Sequence, residues 1–209
     1  MKTGLYGGSF SPVHNGHINN ALDFYDECGL DRLYIVPSFL PPHKAAITEV
    51  TPADRLNMLI GSFYEAKGKR NIIVSDYEIR RMEKSYTYYT LKYFKSLYPD
   101  DDFFFLCGTD MLLTLESWYR FEDLFAMCRF AHNIRRIEPH VKEKVEAQKR
   151  HLKEAYGVGI VDLHMPPIDV SSTEIRERLA QRQDISHLVP PAACRFIRER
   201  NLYGFSEKE

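Results

Sequence analysis

Two histidines follow a glycine pair in the run Gly7-Gly8-Ser9-Phe10-Ser11-Pro12-Val13-His14-Asn15-Gly16-His17. Adjacent glycines let a main chain approach a ligand that any Cβ would push away. With Asn15-Gly16 turning the chain, a helix opening near His17 would add unpaired N–H groups and a positive dipole end, which together make a phosphate site. Imidazoles at positions 14 and 17 can point the same way and donate hydrogen bonds to phosphate oxygens, which suits the stabilisation of phosphoryl charge. Other readings stand beside this one. Histidines at this spacing also serve as surface or capping groups. As zinc ligands they would need a third partner, and no nearby Cys or His-Glu set supplies it. The glycine spacing of dinucleotide-binding folds and the Gly-Lys-Ser/Thr ending of phosphate loops are both absent, which excludes a nicotinamide dehydrogenase and that class of NTPase.

A second run, Asp169-Val170-Ser171-Ser172-Thr173-Glu174-Ile175-Arg176-Glu177-Arg178-Leu179, has the form of a helix start. Ser171 with Glu174 three positions later fits a capping box. Three hydroxyls with Arg176 about one turn in make another anion-binding corner; the same residues equally describe a well-capped surface helix. Between the two runs lie Pro41-Pro42-His43-Lys44, Ser85-Tyr86-Thr87, Gly108-Thr109-Asp110 and Ser117-Trp118-Tyr119. Lys44 can meet phosphate as a point charge. An indole such as Trp118 can stack on a pyridine ring, with added attraction for a pyridinium. On the residues alone, Lys44 is equally a solvated lysine, Asp110 a helix cap and Trp118 a core tryptophan.

These groups need a scaffold. Short apolar runs predict strands at 3–6, 33–36, 71–74, 103–107 and 158–163, the first stopped by Gly7-Gly8. Helical spacing predicts helices near 17–28, 87–98, 111–114, 121–127, 139–155, 172–181 and 190–200, and one opened by Pro52 that buries Leu56, Leu59, Ile60 and Phe63. Residues 129–138 carry no clear signal. Strand-helix alternation predicts an α/β fold: a single Rossmann-like, doubly wound, mostly parallel sheet with helices on both faces. Its ligands are expected beyond the carboxyl ends of the strands. One domain is expected over residues 1–209, with a small helical part from about residue 171 and no repeat or linker.

The composition sets bounds on partners and setting. With 209 residues, 44% hydrophobic and 13% aromatic, the chain can bury one substantial core. Its 28 Lys+Arg against 29 Asp+Glu leave a net charge of -1, which argues against nucleic acid or an anionic membrane as partner. No apolar run approaches the ~20 residues of a membrane span, and the first residues lack a signal peptide's apolar core. Cys28, Cys107, Cys128 and Cys194 form no Cys-x-x-Cys pair and are expected to be buried thiols of a reducing compartment. A cytoplasmic protein with no metal-ligand set of its own is the expectation.

The first run resembles the signature of the nucleotidylyltransferase superfamily, whose His-x-Gly-His is shared with class I aminoacyl-tRNA synthetases. Ser-Ser-Thr-x-Ile-Arg-x-x-Leu is similar to that superfamily's second ATP motif. The resemblance implies ATP binding by Gly7, Gly8, Ser9, Phe10, His14, Gly16, His17, Gly108, Asp110, Ser172, Thr173 and Arg176. It implies catalytic parts for His14, His17 and Arg176, with Mg²⁺ accompanying ATP. Ser9 and Ser11 stand where Thr and Asp are more common; Ser9 keeps a hydroxyl, whereas Ser11 loses a charge.

The intervening segments resemble the nicotinate mononucleotide adenylyltransferase branch, and this implies binding of the mononucleotide by Lys44, Thr87, Asp110, Trp118 and Tyr119. Ala131-His132-Asn133-Ile134-Arg135-Arg136 lacks the Pro and Gly of the turn usual in that branch, and Arg135 and Arg136 are equally placed for its arginine. The implied activity is adenylyl transfer from ATP to nicotinate mononucleotide, giving nicotinate adenine dinucleotide and pyrophosphate. The alternatives are another acceptor within the superfamily (nicotinamide mononucleotide or phosphopantetheine), a cytidylyltransferase, a catalytically silent nucleotide sensor, and a phosphohydrolase using His14 and His17 as metal ligands. A synthetase is excluded: Arg81-Met82-Glu83-Lys84-Ser85 precedes a central strand, and 209 residues leave no room for an anticodon domain. Assembly into homo-oligomers stays open.

Overall fold

The computed structural model describes residues 1–42, 50–133, 139–164 and 170–205. Strands β1 (Lys2–Gly8), β2 (Arg32–Pro37), β3 (Ile72–Val74), β4 (Asp102–Cys107), β5 (Arg129–Asn133) and β6 (Ile160–Leu163) form one sheet in the order β3-β2-β1-β4-β5-β6. Every pairing is parallel. The order reverses between β1 and β4, so the connections leave these neighbours in opposite directions and open a crevice at their carboxyl ends.

The helices are α1 (Asn15–Glu27), α2 (Pro52–Ala66), α3 (Tyr77–Arg81), α4 (Thr87–Leu97), α5 (Thr109–Leu112), α6 (Phe121–Met127), α7 (Pro139–Tyr156), α8 (Ser172–Ala180) and α9 (Pro191–Glu199). They cover both faces, and β4 makes the reason for its unbroken apolar run visible. Phe103, Phe105 and Cys107 enter one core with Leu91 and Phe94 of α4 and Leu124 of α6. Phe104 and Leu106 enter the other with Phe24 of α1, Phe63 of α2 and Ile197 of α9. A strand buried on both sides has no polar face to show. The helical part after residue 171 packs back on the second core, with α9 against α2. Among the described residues no helix is long and apolar enough to cross a membrane.

Three local expectations are corrected, and two elements, β5 and α3, carry no expectation from the sequence. Gly7 and Gly8 do not stop β1; they pair with Val36 and Pro37, since ladder hydrogen bonds need no Cβ. Helix α1 begins at Asn15, because His14 caps it and Asn15-Gly16 form its first turn. In α2 the buried face is turned by one residue: Arg55, Met58, Leu59, Ser62 and Phe63 are inside, while Ile60 is 47% exposed. Polar Arg55 and Ser62 are tolerated there because carbonyls accept their hydrogen bonds. Strand β5 was masked by its polar residues, of which His132 and Asn133 are buried. Helix α3 has five residues, too few to show a period.

Candidate active site

Gly7 and Gly8 are the last paired residues of β1 and border the crevice. Phe10 adopts a left-handed backbone (φ 48), which for a bulky residue costs about 1–3 kcal/mol. Burial holds it there: its ring meets Tyr6 edge-on at 5.4 Å and His17 at 4.9 Å. A Cβ on Gly8 would stand 2.9 Å from that ring, so Gly8 is required by the fold of its own loop. The Phe10 side chain is 1% exposed, so anything this residue offers a nucleotide comes from its main chain.

His14 and His17 cap α1 reciprocally. His17 N–H donates to His14 Nδ1 at 3.3 Å, and His14 N–H donates to His17 Nδ1 at 3.2 Å. The rings stack with centroids 3.6 Å apart. Because both Nδ1 atoms accept, each neutral imidazole carries its proton on Nε2. The cap and the donor are therefore one arrangement: binding the helix N-terminus selects the tautomer that can donate to an anion.

The two distant runs converge. Ser172 Oγ donates to the Pro12 carbonyl at 2.9 Å, and Arg176 Nη1 donates to the Ser11 carbonyl at 2.7 Å. A Cβ on Gly16 would lie 3.1 Å from the His14 ring and 3.2 Å from Val170, so the glycine leaves room for the capping imidazole and for the chain entering α8. Asn15 fastens the other side, its N–H to the Leu188 carbonyl and its amide to that of His187. Ser171 caps α8 through the Glu174 N–H at 3.1 Å, whereas the Glu174 carboxylate pairs with Arg178 instead of closing the expected box. Thr173 Oγ1 accepts from Arg176 Nη2 at 3.1 Å.

Across the glycine pair lies a cavity of about 310 Å³. Its wall brings together Gly7, Gly8, Ser9, Thr87, Asp110, Trp118 and Tyr119 from the expected set, with Ser38, Glu78, Ser85 and Thr90. Trp118 stands edge-on to Phe105 with centroids 5.8 Å apart, and Tyr119 lies 4.8 Å from Tyr86. His14, His17, Ser172, Thr173 and Arg176 do not line it; they gather along the loop after β1, whose Ser9 lines the cavity and whose Ser11 and Pro12 carbonyls take the α8 contacts. Gly108 caps the short helix that carries Asp110, an exposed carboxylate. Lys44, Arg135 and Arg136 lie outside the described residues, as does Asp169.

Several groups at this site were not singled out from the sequence. Arg55, 1% exposed, donates to the carbonyls of Ser9 at 2.7 Å and Ser38 at 2.6 Å, tying the loops after β1 and β2. Burial pulls its pKa below the usual range, opposed by Tyr203 and Glu78. Burial likewise pushes the Glu78 carboxyl up, with Thr90 and Ser85 acting against it. Ser11 Oγ donates to the buried Tyr203 hydroxyl at 3.1 Å, so the C-terminal turn supports the histidine loop from beneath. Behind the turn after β4, Thr109 Oγ1 lies 3.2 Å from Nε2 of the fully buried His132. The only hint in the sequence was the placement of polar residues on otherwise apolar stripes.

The model of the cytidylyltransferase-like family matches residues 5–178. The chain belongs to that family. A probable nicotinate-nucleotide adenylyltransferase of Clostridium novyi is 35% identical over 202 residues, covering 97% of this chain and 98% of its own. One from Exiguobacterium sibiricum is 36% identical over 204 residues, covering 98% and 100%. The family fold recurs in the nicotinic acid mononucleotide adenylyltransferase of Plasmodium falciparum complexed with NaAD, with a TM-score of 0.74, 23% identity and 98% of both chains covered.

Proposed function

We infer that this protein is a nicotinate-nucleotide adenylyltransferase: it moves the adenylyl group of ATP onto the phosphate of nicotinate mononucleotide and releases pyrophosphate. One observation carries this: a polar corner built from both ends of the chain adjoins an aromatic-walled cavity across Gly7-Gly8. Relatives named for the same activity, matched over 98% and 100% of their own length at 35% and 36% identity, support it. The triphosphate belongs at the corner, over Gly7, Gly8, Ser9, Gly16 and Gly108 and the main chain of Phe10. The mononucleotide belongs in the cavity, with Thr87, Trp118 and Tyr119 around the pyridine and Asp110 between the two nucleotides. Lys44 is assigned to a substrate phosphate.

The acceptor phosphate is already an anion at neutral pH, so no general base has to activate it. One of its oxygens attacks the α-phosphorus in line, the bond from that phosphorus to the bridging oxygen breaks, and pyrophosphate leaves with the electron pair. The chain's task is alignment and charge stabilisation. His17 Nε2 donates toward the α-phosphate as charge builds. His14, Ser172, Thr173 and Arg176 hold the departing β- and γ-phosphates; two of the five arginine donors already fix the corner. A magnesium ion accompanying ATP would neutralise phosphate charge while keeping most of its water; His14, Ser172, Thr173 and Arg176 would then meet the phosphate oxygens it leaves free. The cysteines are free and buried, in keeping with a reducing, cytoplasmic setting.

The test is pyrophosphate release from ATP with nicotinate mononucleotide, nicotinamide mononucleotide or phosphopantetheine offered separately. Release is expected with the nicotinate acceptor. ATP binding with no release from any of them would overturn the assignment.

A further inference from the structure

Glu78 projects from α3 into the cavity wall and is 7% exposed. Thr90 Oγ1, in the first turn of α4, donates to Glu78 Oε1 at 2.5 Å. The Ser85 hydroxyl also faces the carboxyl and favours its charged form. Ser85 is in turn fastened to the loop after β2: its Oγ accepts the Phe39 N–H at 2.9 Å, and its N–H donates to the Leu40 carbonyl at 2.9 Å. Arg55, whose charge attracts Glu78, holds the start of that same loop at Ser38. The carboxyl thus sits where the loop after β2, the Ser85-Tyr86 segment and the first turn of α4 meet. All three line the cavity, and the hydrogen bonds of Glu78 itself stay on that side; only Arg55 also touches the loop after β1, at the Ser9 carbonyl.

Resting on the function proposed above, we propose that Glu78 is a positioning residue for the acceptor: its buried carboxyl, gripped by Thr90 and Ser85, sets the spacing between the loop after β2 and α4. It thereby fixes the cavity that takes the mononucleotide and leaves the triphosphate corner alone. Burying a carboxyl is costly unless it is hydrogen-bonded, and Thr90 and Ser85 meet that need where the three cavity-lining segments join.

The experiment measures KM for nicotinate mononucleotide and for ATP separately, with kcat, in Glu78→Ala, Glu78→Gln and Thr90→Val. Glu78→Ala and Thr90→Val are expected to raise the acceptor KM about tenfold, the scale of one lost buried hydrogen bond to a charged group. The KM for ATP should stay near the wild-type value, and Glu78→Gln, which keeps volume and an acceptor oxygen, should recover most of the loss. Equal rises in both KM values, or a fall in kcat alone, would overturn the proposal. Should Glu78→Ala fail to fold, the near-isosteric Thr90→Val decides it. A wild-type protein that binds ATP yet releases no pyrophosphate overturns the function itself, and this inference with it.

Discussion

The guanidinium of Arg176 donates to the main-chain carbonyl of Ser11 at 2.7 Å, joining positions 165 residues apart in sequence. The contact makes one corner out of two runs that each look ordinary alone. It also gives an arginine a use that a bare positive charge lacks, since Arg176 bridges the Ser11 carbonyl and Thr173 Oγ1 at once. Arg176→Lys should therefore behave much more like Arg176→Ala than like wild type in kcat/KM for ATP, because an ammonium cannot span both acceptors in a fixed plane. Steady-state pyrophosphate release checks it; a lysine variant with near wild-type kcat/KM would show that charge alone suffices.

His17 carries two duties that substitution can separate. His17→Ala removes the imidazole donor and also the acceptor that caps His14 N–H. We expect a loss of about 2.7–4 kcal/mol of transition-state stabilisation, the scale of one oxyanion-type donor. His17→Asn restores a side-chain oxygen able to accept from the same N–H. If the asparagine variant is as slow as the alanine one while its melting temperature recovers, the chemistry belongs to the ring. A His17→Ala turnover within about threefold of wild type would remove His17 from the reaction.

Trp118 lines the cavity with its ring edge-on to Phe105. Trp118→Ala should raise the KM for the mononucleotide far more than the KM for ATP, because stacking on a pyridinium is lost while the triphosphate corner is untouched. Parallel changes in both would reduce the residue to packing.

Arg55 holds two loop carbonyls from inside the core. Arg55→Leu fills much of the space and leaves both carbonyls without this donor, each costing about 1–3 kcal/mol when buried. A fall of that order in unfolding free energy by denaturant titration is expected, together with weaker substrate binding, since both loops border the cavity. An unchanged denaturation midpoint would mean that the carbonyls find other partners.

Legibility divided along physical lines. The parallel sheet followed from apolar runs spaced by helices, whereas the two polar runs each had an ordinary reading, and only the Arg176 and Ser172 contacts bring them together. What stayed hidden was polar and internal. Arg55 broke the apolar stripe by which α2 was oriented, shifting the expected face onto Ile60. Glu78 lies on a helix too short to show a period. His132 and Asn133 disguised β5, and their partners, Thr109 and Asn20, come from distant elements that no local pattern links to them. Spacing also could not tell that His14 would precede α1 as its cap, because that depends on which ring nitrogen faces the helix end.

His132 makes a contribution of definite sign to the pH dependence, and a non-titrating variant isolates it. Burial lowers its pKa and Lys149 lowers it further, against the opposing pull of Asp162, whose Oδ1 lies 3.5 Å from Nδ1. A histidine whose folded pKa is depressed binds its proton more readily when unfolded, so it leaves stability unaffected above the unfolded value. It removes stability as pH falls below about 6.5, down to the folded pKa. Melting temperature should therefore decline on acidification through that window, and the decline should be shallower in His132→Gln, which keeps a polar group opposite Thr109 and cannot titrate. The link from His132 toward the site is the Thr109 hydroxyl, next to Asp110. Identical slopes for wild type and variant would assign the acid limb to other groups.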